Sequence, residues 1–174
     1  MRRRVGISLY AGVLLAVLGA VAFVTGRPFV FPSLGPSAFV LAADRRGGAA
    51  RFYRVVGGHL VGAVAGFVAY ALIAPGVVVT ALPPALSVDG ARLAASGVLS
   101  VVATSWGMVA TDAVHPPACA TTLIVSLGLL STPFEVAIIV ASVVVLVAVH
   151  EGVLSVVGAV AGVDPDADAA DDRA

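Results

Sequence analysis

The sequence predicts an all-helical integral membrane fold, an inverted repeat of two three-segment units, each with a central proline-broken helix, and three observations carry that expectation. The first is composition: of 174 residues, 60% are hydrophobic and 11% charged, against roughly half apolar and a quarter charged in soluble domains. The second is the placement of charge. Every basic residue is an arginine, with Arg2, Arg3 and Arg4 at the start, Arg45, Arg46, Arg51 and Arg54 in one loop, and Arg27, Arg92 and Arg173 alone, so basic charge is confined to the ends of apolar runs. The third is rhythm: four uninterrupted apolar runs alternate with two that proline interrupts, "RPFVFPSLGPSAFVLAADRRGG" and "DAVHPPACATTLIV".

The uninterrupted runs are residues 5–25, 55–75, 91–110 and 134–154, each close to the ~20 residues that span a bilayer as helix. Arg2 to Arg4 followed by an apolar run with Ala20-Val21-Ala22 has the outline of a signal peptide. Cleavage would remove a span that the repeat needs, so a retained first helix is expected. The single transmembrane domain is then residues 1–163, with one repeat at 5–75 and the other at 91–157. The tail at 164–174, acidic and free of aromatics, reads as solvated and disordered.

Whether the interrupted segments dip or cross is decided by arginine. If residues 28–43 only dipped, Arg45, Arg46, Arg51 and Arg54 would lie on the opposite side from Arg2 to Arg4, against the positive-inside bias. A crossing returns them. About six extended residues at ~3.3 Å and eight helical ones at ~1.5 Å reach roughly 30 Å, the hydrocarbon thickness. The expectation is six crossings in a cell (inner) membrane, both termini cytoplasmic. With three crossings per unit, the second unit is inverted relative to the first.

Proline is suited to the first turn of a helix, where its missing donor costs nothing, so Pro36 and Pro117 read as starts of half-helices at membrane depth. Such termini offer unpaired N–H groups and the positive dipole end to an anion, and two converging termini are a transporter pattern. The expected donors are the backbone N–H groups of Ser37, Ala38, Ala118 and Cys119, with the hydroxyls of Ser33, Ser37, Thr121 and Thr122 nearby; Gly35, Pro36, Pro116 and Pro117 complete the expected substrate-binding site. His115 could donate to an anion or carry a proton with it. Asp112 reads as a rim residue with no anion contact.

Other residues are assigned to packing or boundaries. Gly58, Gly62 and Gly66 fall on one helix face and admit close backbone approach, expected against an interrupted segment. His59, close to a helix end, is as easily interfacial as functional, and His150-Glu151 reads as a wet interfacial pair. Trp106 is a packing or belt aromatic.

Several classes are set aside. Zero net charge and the lack of a basic aromatic groove argue against nucleic acid. Cys119 is the lone cysteine, no metal-ligand spacing is present, and in a zinc-protease reading of His150-Glu151 the second histidine would fall on Leu154. No cofactor or metal is expected, and no nucleophile-base pair suggests an enzyme. The lipid bilayer is the expected surroundings, and the glycine face could equally serve a homo-oligomer.

The ordered motifs "FPSLGPSAFVL", the basic loop leading into "RVVGGHLVGAVAG", and "HPPACATTLIV" resemble the HPP family of integral membrane proteins, named for a His-Pro-Pro tripeptide. Here that tripeptide is His115-Pro116-Pro117, the proline-glycine-serine segment spans Phe31 to Ser37, and the glycine-histidine pair is Gly58-His59. The resemblance covers roughly residues 10 to 155. Family members are usually described as four-helix proteins, and chloroplast and cyanobacterial relatives are associated with nitrite transport. The resemblance therefore implies transport of a small inorganic anion, nitrite expected. A non-transporting membrane sensor or assembly module that binds an anion or lipid headgroup is the alternative. The count of six crossings differs from the four-helix description because it includes the interrupted segments.

Overall fold

The computed structural model describes residues 2–45, 47–48 and 51–161; Arg46 and the acidic tail at 164–174 lie outside the described residues. In chain order the helices are α1 (Arg2–Thr25), α2 (Leu34–Ala43), α3 (Phe52–Ile73), α4 (Val88–Ala110), α5 (Ala118–Ser126) and α6 (Pro133–Ala161), and no strand occurs among the described residues. Four of them, α1, α3, α4 and α6, are long and apolar enough to cross a membrane. The ten residues of α2 and nine of α5 reach only about half the ~30 Å hydrocarbon thickness at ~1.5 Å per residue.

Two helices extend beyond the apolar runs because polar residues organise their first turns. The Ser87 hydroxyl caps α4 by accepting from the Gly90 N–H at 3.1 Å, so α4 begins at Val88 and not at the expected 91. Before α6, the Thr132 N–H donates to Glu135 Oε2 at 2.9 Å while the Glu135 N–H donates back to Thr132 Oγ1 at 3.3 Å, a reciprocal capping box. At its other end α6 continues past 154 to Ala161.

Ties between segments define two ends of the bundle. At the arginine end, the Tyr53 hydroxyl donates to Thr111 O at 2.6 Å, Arg54 pairs with Asp112 at 3.5 Å, and His150 Nε2 lies 3.0 Å from Arg45 O. At the far end, Arg27 stacks on the Phe134 ring at 5.2 Å, Arg92 Nε donates to Ile73 O at 2.8 Å, and the Val79 N–H donates to Leu127 O at 3.0 Å. The segment from Arg27 to Arg45 is thus tied at both ends, and so is the segment from Thr111 to Leu127. Each interrupted stretch runs the length of the bundle as an irregular lead-in followed by a short helix.

Two modes of packing hold these segments. Around α2, Phe31, Leu34 and Leu41 are buried with Leu14 and Leu18 of α1 and Ile139, Val143 and Leu146 of α6. Around α5, the contact is backbone-close, against α3. A Cβ on Gly58 would stand 2.9 Å from Ala113 O, on Gly62 2.7 Å from Ala118 O, and on Gly66 2.7 Å from Thr122 O. The glycine face therefore serves the interrupted segment, as its spacing predicts. Outward, large apolar side chains such as Leu9, Phe23, Leu72, Val98 and Val102 are more than half exposed, a surface that lipid satisfies and water does not. Trp106 joins that outward surface.

Candidate functional site

Each interrupted segment tightens into a turn before its helix begins. Ser33 and Pro117 occupy the cap positions of α2 and α5 with right-handed helical dihedrals, φ −73°, ψ −17° and φ −56°, ψ −23°. Pro36 then falls within the first turn of α2 rather than at its start, and one turn beyond the caps come Ser37 and Thr121.

Those positions converge with two histidines. Ser33 Oγ lies 2.7 Å from Thr121 Oγ1, Thr121 Oγ1 2.7 Å from His59 Nδ1, His59 Nε2 2.8 Å from Ser37 Oγ, and Ser37 Oγ 3.0 Å from both His115 Nε2 and Ser33 O. The rings of His59 and His115 are tilted, with centroids 5.1 Å apart. All five residues are at most 1% exposed. With both rings neutral, one proton arrangement satisfies every one of these contacts. Ser33 O can only accept, so the Ser37 hydroxyl donates to it; both Nε2–H groups then donate to Ser37 Oγ; His59 Nδ1 accepts from Thr121, whose oxygen accepts from Ser33. The network joins both interrupted segments through α3 and carries no fixed charge.

Two expectations are corrected here. The backbone donors are not open: the Ser37 N–H donates to Ser33 O at 3.4 Å, Ala118 to His115 O at 2.9 Å and Cys119 to Pro116 O at 3.0 Å, while Ala38 lies a turn inside α2. The cause is local, because helical dihedrals at the cap residues bring upstream carbonyls over the first amides. Side chains, not amides, present the polar groups. Second, His150 is not a wet interfacial residue. It is fully buried, with Nδ1 2.9 Å from the Tyr10 hydroxyl and Nε2 on Arg45 O, a tie between α6, α1 and the end of α2; Glu151 alone is exposed.

The other expected site residues divide. Gly35, Pro36, Pro116 and Pro117 line an open apolar groove with Phe39, Val40 and Ala120, outside the network. Ala38 and Ala118 are buried, Cys119 is half-buried, and Thr122 is fully buried with its hydroxyl unpartnered. Asp112 is a structural cap. It takes a left-handed conformation, φ 52°, the Ala113 N–H donates to Met108 O at 3.0 Å and its own N–H to Val109 O at 3.3 Å, the Schellman pattern that ends a helix.

His59 is the member that sequence reasoning left undecided between interface and function, because counting residues from the helix end placed it close to a boundary. The available signal was its spacing. His59 stands three residues before Gly62 and seven before Gly66, which puts it on the glycine face that abuts the interrupted segment. Among the described residues, no group of three or more His, Cys, Asp or Glu side chains could hold a metal ion.

No curated protein and no solved structure matches the chain. The family model described as HPP, transmembrane region, matches residues 1–161, a stretch that takes in every helix and the whole buried network, and the chain therefore belongs to the HPP family of transmembrane proteins.

Proposed function

We propose that this protein carries a small inorganic anion across a membrane, with nitrite the first substrate to test, and that the anion is held at the buried network of Ser33, Ser37, His59, His115 and Thr121. The observation behind this reading is the network itself. Ionisable groups inside membrane bundles mark solute or proton pathways more often than they mark scaffolding, and here two histidines tie both irregular segments to one helix. Irregular backbone at membrane depth persists only where protein buries it or a wet cavity lines it. The arrangement we infer is six crossings in two inverted triplets, α1 to α3 and α4 to α6, both termini cytoplasmic. It is supported by the long-short-long order of helices in each half and by the ties of both interrupted segments to opposite ends.

Charge dictates the coupling. A site without fixed positive charge stabilises an anion poorly, since burial of an unpaired ion is costly. The anion is accepted together with a proton, either as the neutral acid or beside a newly formed imidazolium, so one proton moves with each nitrite. Uptake into proteoliposomes is therefore expected to rise as the pH on the donor side falls.

The test is nitrite uptake into proteoliposomes by the parent chain and by His59→Phe and His115→Phe, each ring replaced by one of similar shape. Both variants are expected to slow uptake roughly tenfold or more, the loss of at least one buried hydrogen bond. Uptake at the parent rate in both variants would reject the site. The internal saturation of the network favours one second reading, a non-transporting module that binds an anion or lipid headgroup elsewhere. Nitrite binding without flux in the parent chain would select it.

A further inference from the structure

A second line of buried hydroxyls lies outside the network, on the seam where α4 meets α5. Ser96, Ser100 and Thr104 recur at every fourth residue of α4 and are all fully buried, a stripe about 12 Å long at ~1.5 Å per residue. Opposite them, Thr122 and Ser126 share one face of α5. The Ser96 hydroxyl donates to Ser126 O at 2.9 Å, and Ser100 Oγ, whose own proton goes to Gly97 O at 2.8 Å, lies 3.0 Å from Ser126 Oγ. These contacts alone would be ordinary interhelical hydrogen bonds.

Thr104 and Thr122 are different. Among the described residues, their hydroxyls are the buried side-chain polar atoms with no hydrogen-bond partner, although each residue is fully buried. A threonine inside a helix ordinarily bonds back to the carbonyl one turn earlier, as Thr111 does to Gly107 O at 2.8 Å. A hydroxyl that serves only as packing has no reason to forgo that bond at apolar depth. Thr122 is also the chain neighbour of Thr121, a member of the network, while Ser126 ends α5 beside Leu127, whose carbonyl is tied to the 74–87 connection. The stripe therefore connects the network's neighbourhood to the far end of the bundle.

We propose that the α4–α5 seam is the limb of the solute path between the far end and the network, and that Thr104 and Thr122 donate to and accept from the small hydrogen-bonding solute, or water, as it passes. This rests on the transport reading above. It adds what that reading does not contain: the route, and four residues, Ser96, Ser100, Thr104 and Ser126, that the network does not include. Hydroxyls suit the task because they both donate and accept and add no charge, so they pass the anion's protonated form without trapping it.

The experiment places single cysteines in a Cys119→Ala background whose own nitrite flux is the reference. Ser100→Cys and Thr104→Cys probe the seam, and Val102→Cys, on the lipid-facing side of the same helix, is the control. Sulfonatoethyl methanethiosulfonate, a small charged thiol reagent, is added on the side of the 74–87 connection. The two seam cysteines are expected to react about tenfold faster than the control, because only a wet path lets a thiol ionise and the reagent arrive, and saturating nitrite is expected to slow them. Equal rates at all three positions would overturn the path. The labelling is read without reference to flux, so seam cysteines that stay inert while His59→Phe still abolishes uptake would reject the limb and leave the network standing. As a second measure, Thr104→Val keeps the shape and removes the hydroxyl. A several-fold fall in flux with unchanged thermal stability supports the path, whereas unchanged flux contradicts it.

Discussion

The two short helices occupy corresponding places in the chain and are held in opposite ways. α2 is wedged by large side chains, with Leu34 and Leu41 buried among leucines and branched residues of α1 and α6, and its own Gly35 has open space around it. α5 and its lead-in are pressed backbone to backbone on α3, where three glycines leave no room for a Cβ. The difference teaches how a membrane protein fixes a broken helix. Where lipid is as apolar as leucine, side-chain interlocking supplies dispersion only, and close backbone approach supplies position. His59 and His115 belong to the second kind of contact, so the geometry of the network depends on the glycine face more than on the leucine wedge.

The largest effect is therefore expected from Gly62→Val. Its Cβ would stand 2.7 Å from the carbonyl of Ala118, and a backbone atom cannot swing aside, so overpacking should cost about 3 kcal/mol. Thermal unfolding in mild detergent reads the loss, and nitrite uptake should fall with it. Next comes Leu41→Ala on the other side. It leaves a cavity worth roughly 2 kcal/mol, the low end for leucine deletions because lipid replaces water as the reference, and uptake per folded molecule should fall less than for Gly62→Val. The reverse order of uptake would mean that α2, not α5, sets the site.

Asp112→Gly sharpens the comparison at the lead-in to α5. It relieves a left-handed residue and forfeits an exposed ion pair with Arg54, 3.5 Å long, so the two changes, each about 1 kcal/mol or less, nearly cancel. Stability should move by less than about 1 kcal/mol in either direction. Smallest of all is Gly35→Ala, where nothing beyond its chain neighbours and its own helix backbone lies within 4 Å of the new Cβ. The gain from helix propensity, at most about 1 kcal/mol, is opposed by the contact of the new Cβ with the ring of Pro36, so a net change within about 1 kcal/mol of zero is the expected outcome.

Much of the fold was legible because its rules are local. Runs of apolar residues located the four long helices, and Pro36 and Pro117 located both short ones to within a turn, since proline favours a helix start wherever it sits. The glycine spacing correctly announced an interrupted segment as its partner. What was not legible depends on rotation and on distant partners. Ser33 and Pro117 extend each helix start by a helical turn, which occupies the amides that a bare terminus would offer. His59 faces inward because of how α3 is rotated, a quantity that distance from a helix end does not contain. His150 is buried because Tyr10 and Arg45, far away in sequence, meet it. Ser33, Ser37, His115 and Thr121 were identifiable one by one as polar groups at depth, but their bonding to one another was not.

The central claim is that both interrupted segments meet at a buried network through which the solute passes. The most direct measurement joins them: Ser33→Cys with Thr121→Cys, whose parent oxygens are 2.7 Å apart, in a Cys119→Ala background, with nitrite flux followed through oxidation and reduction. Formation of the disulfide with loss of flux, restored by reductant, is the predicted result; efficient disulfide formation with flux undiminished would contradict it.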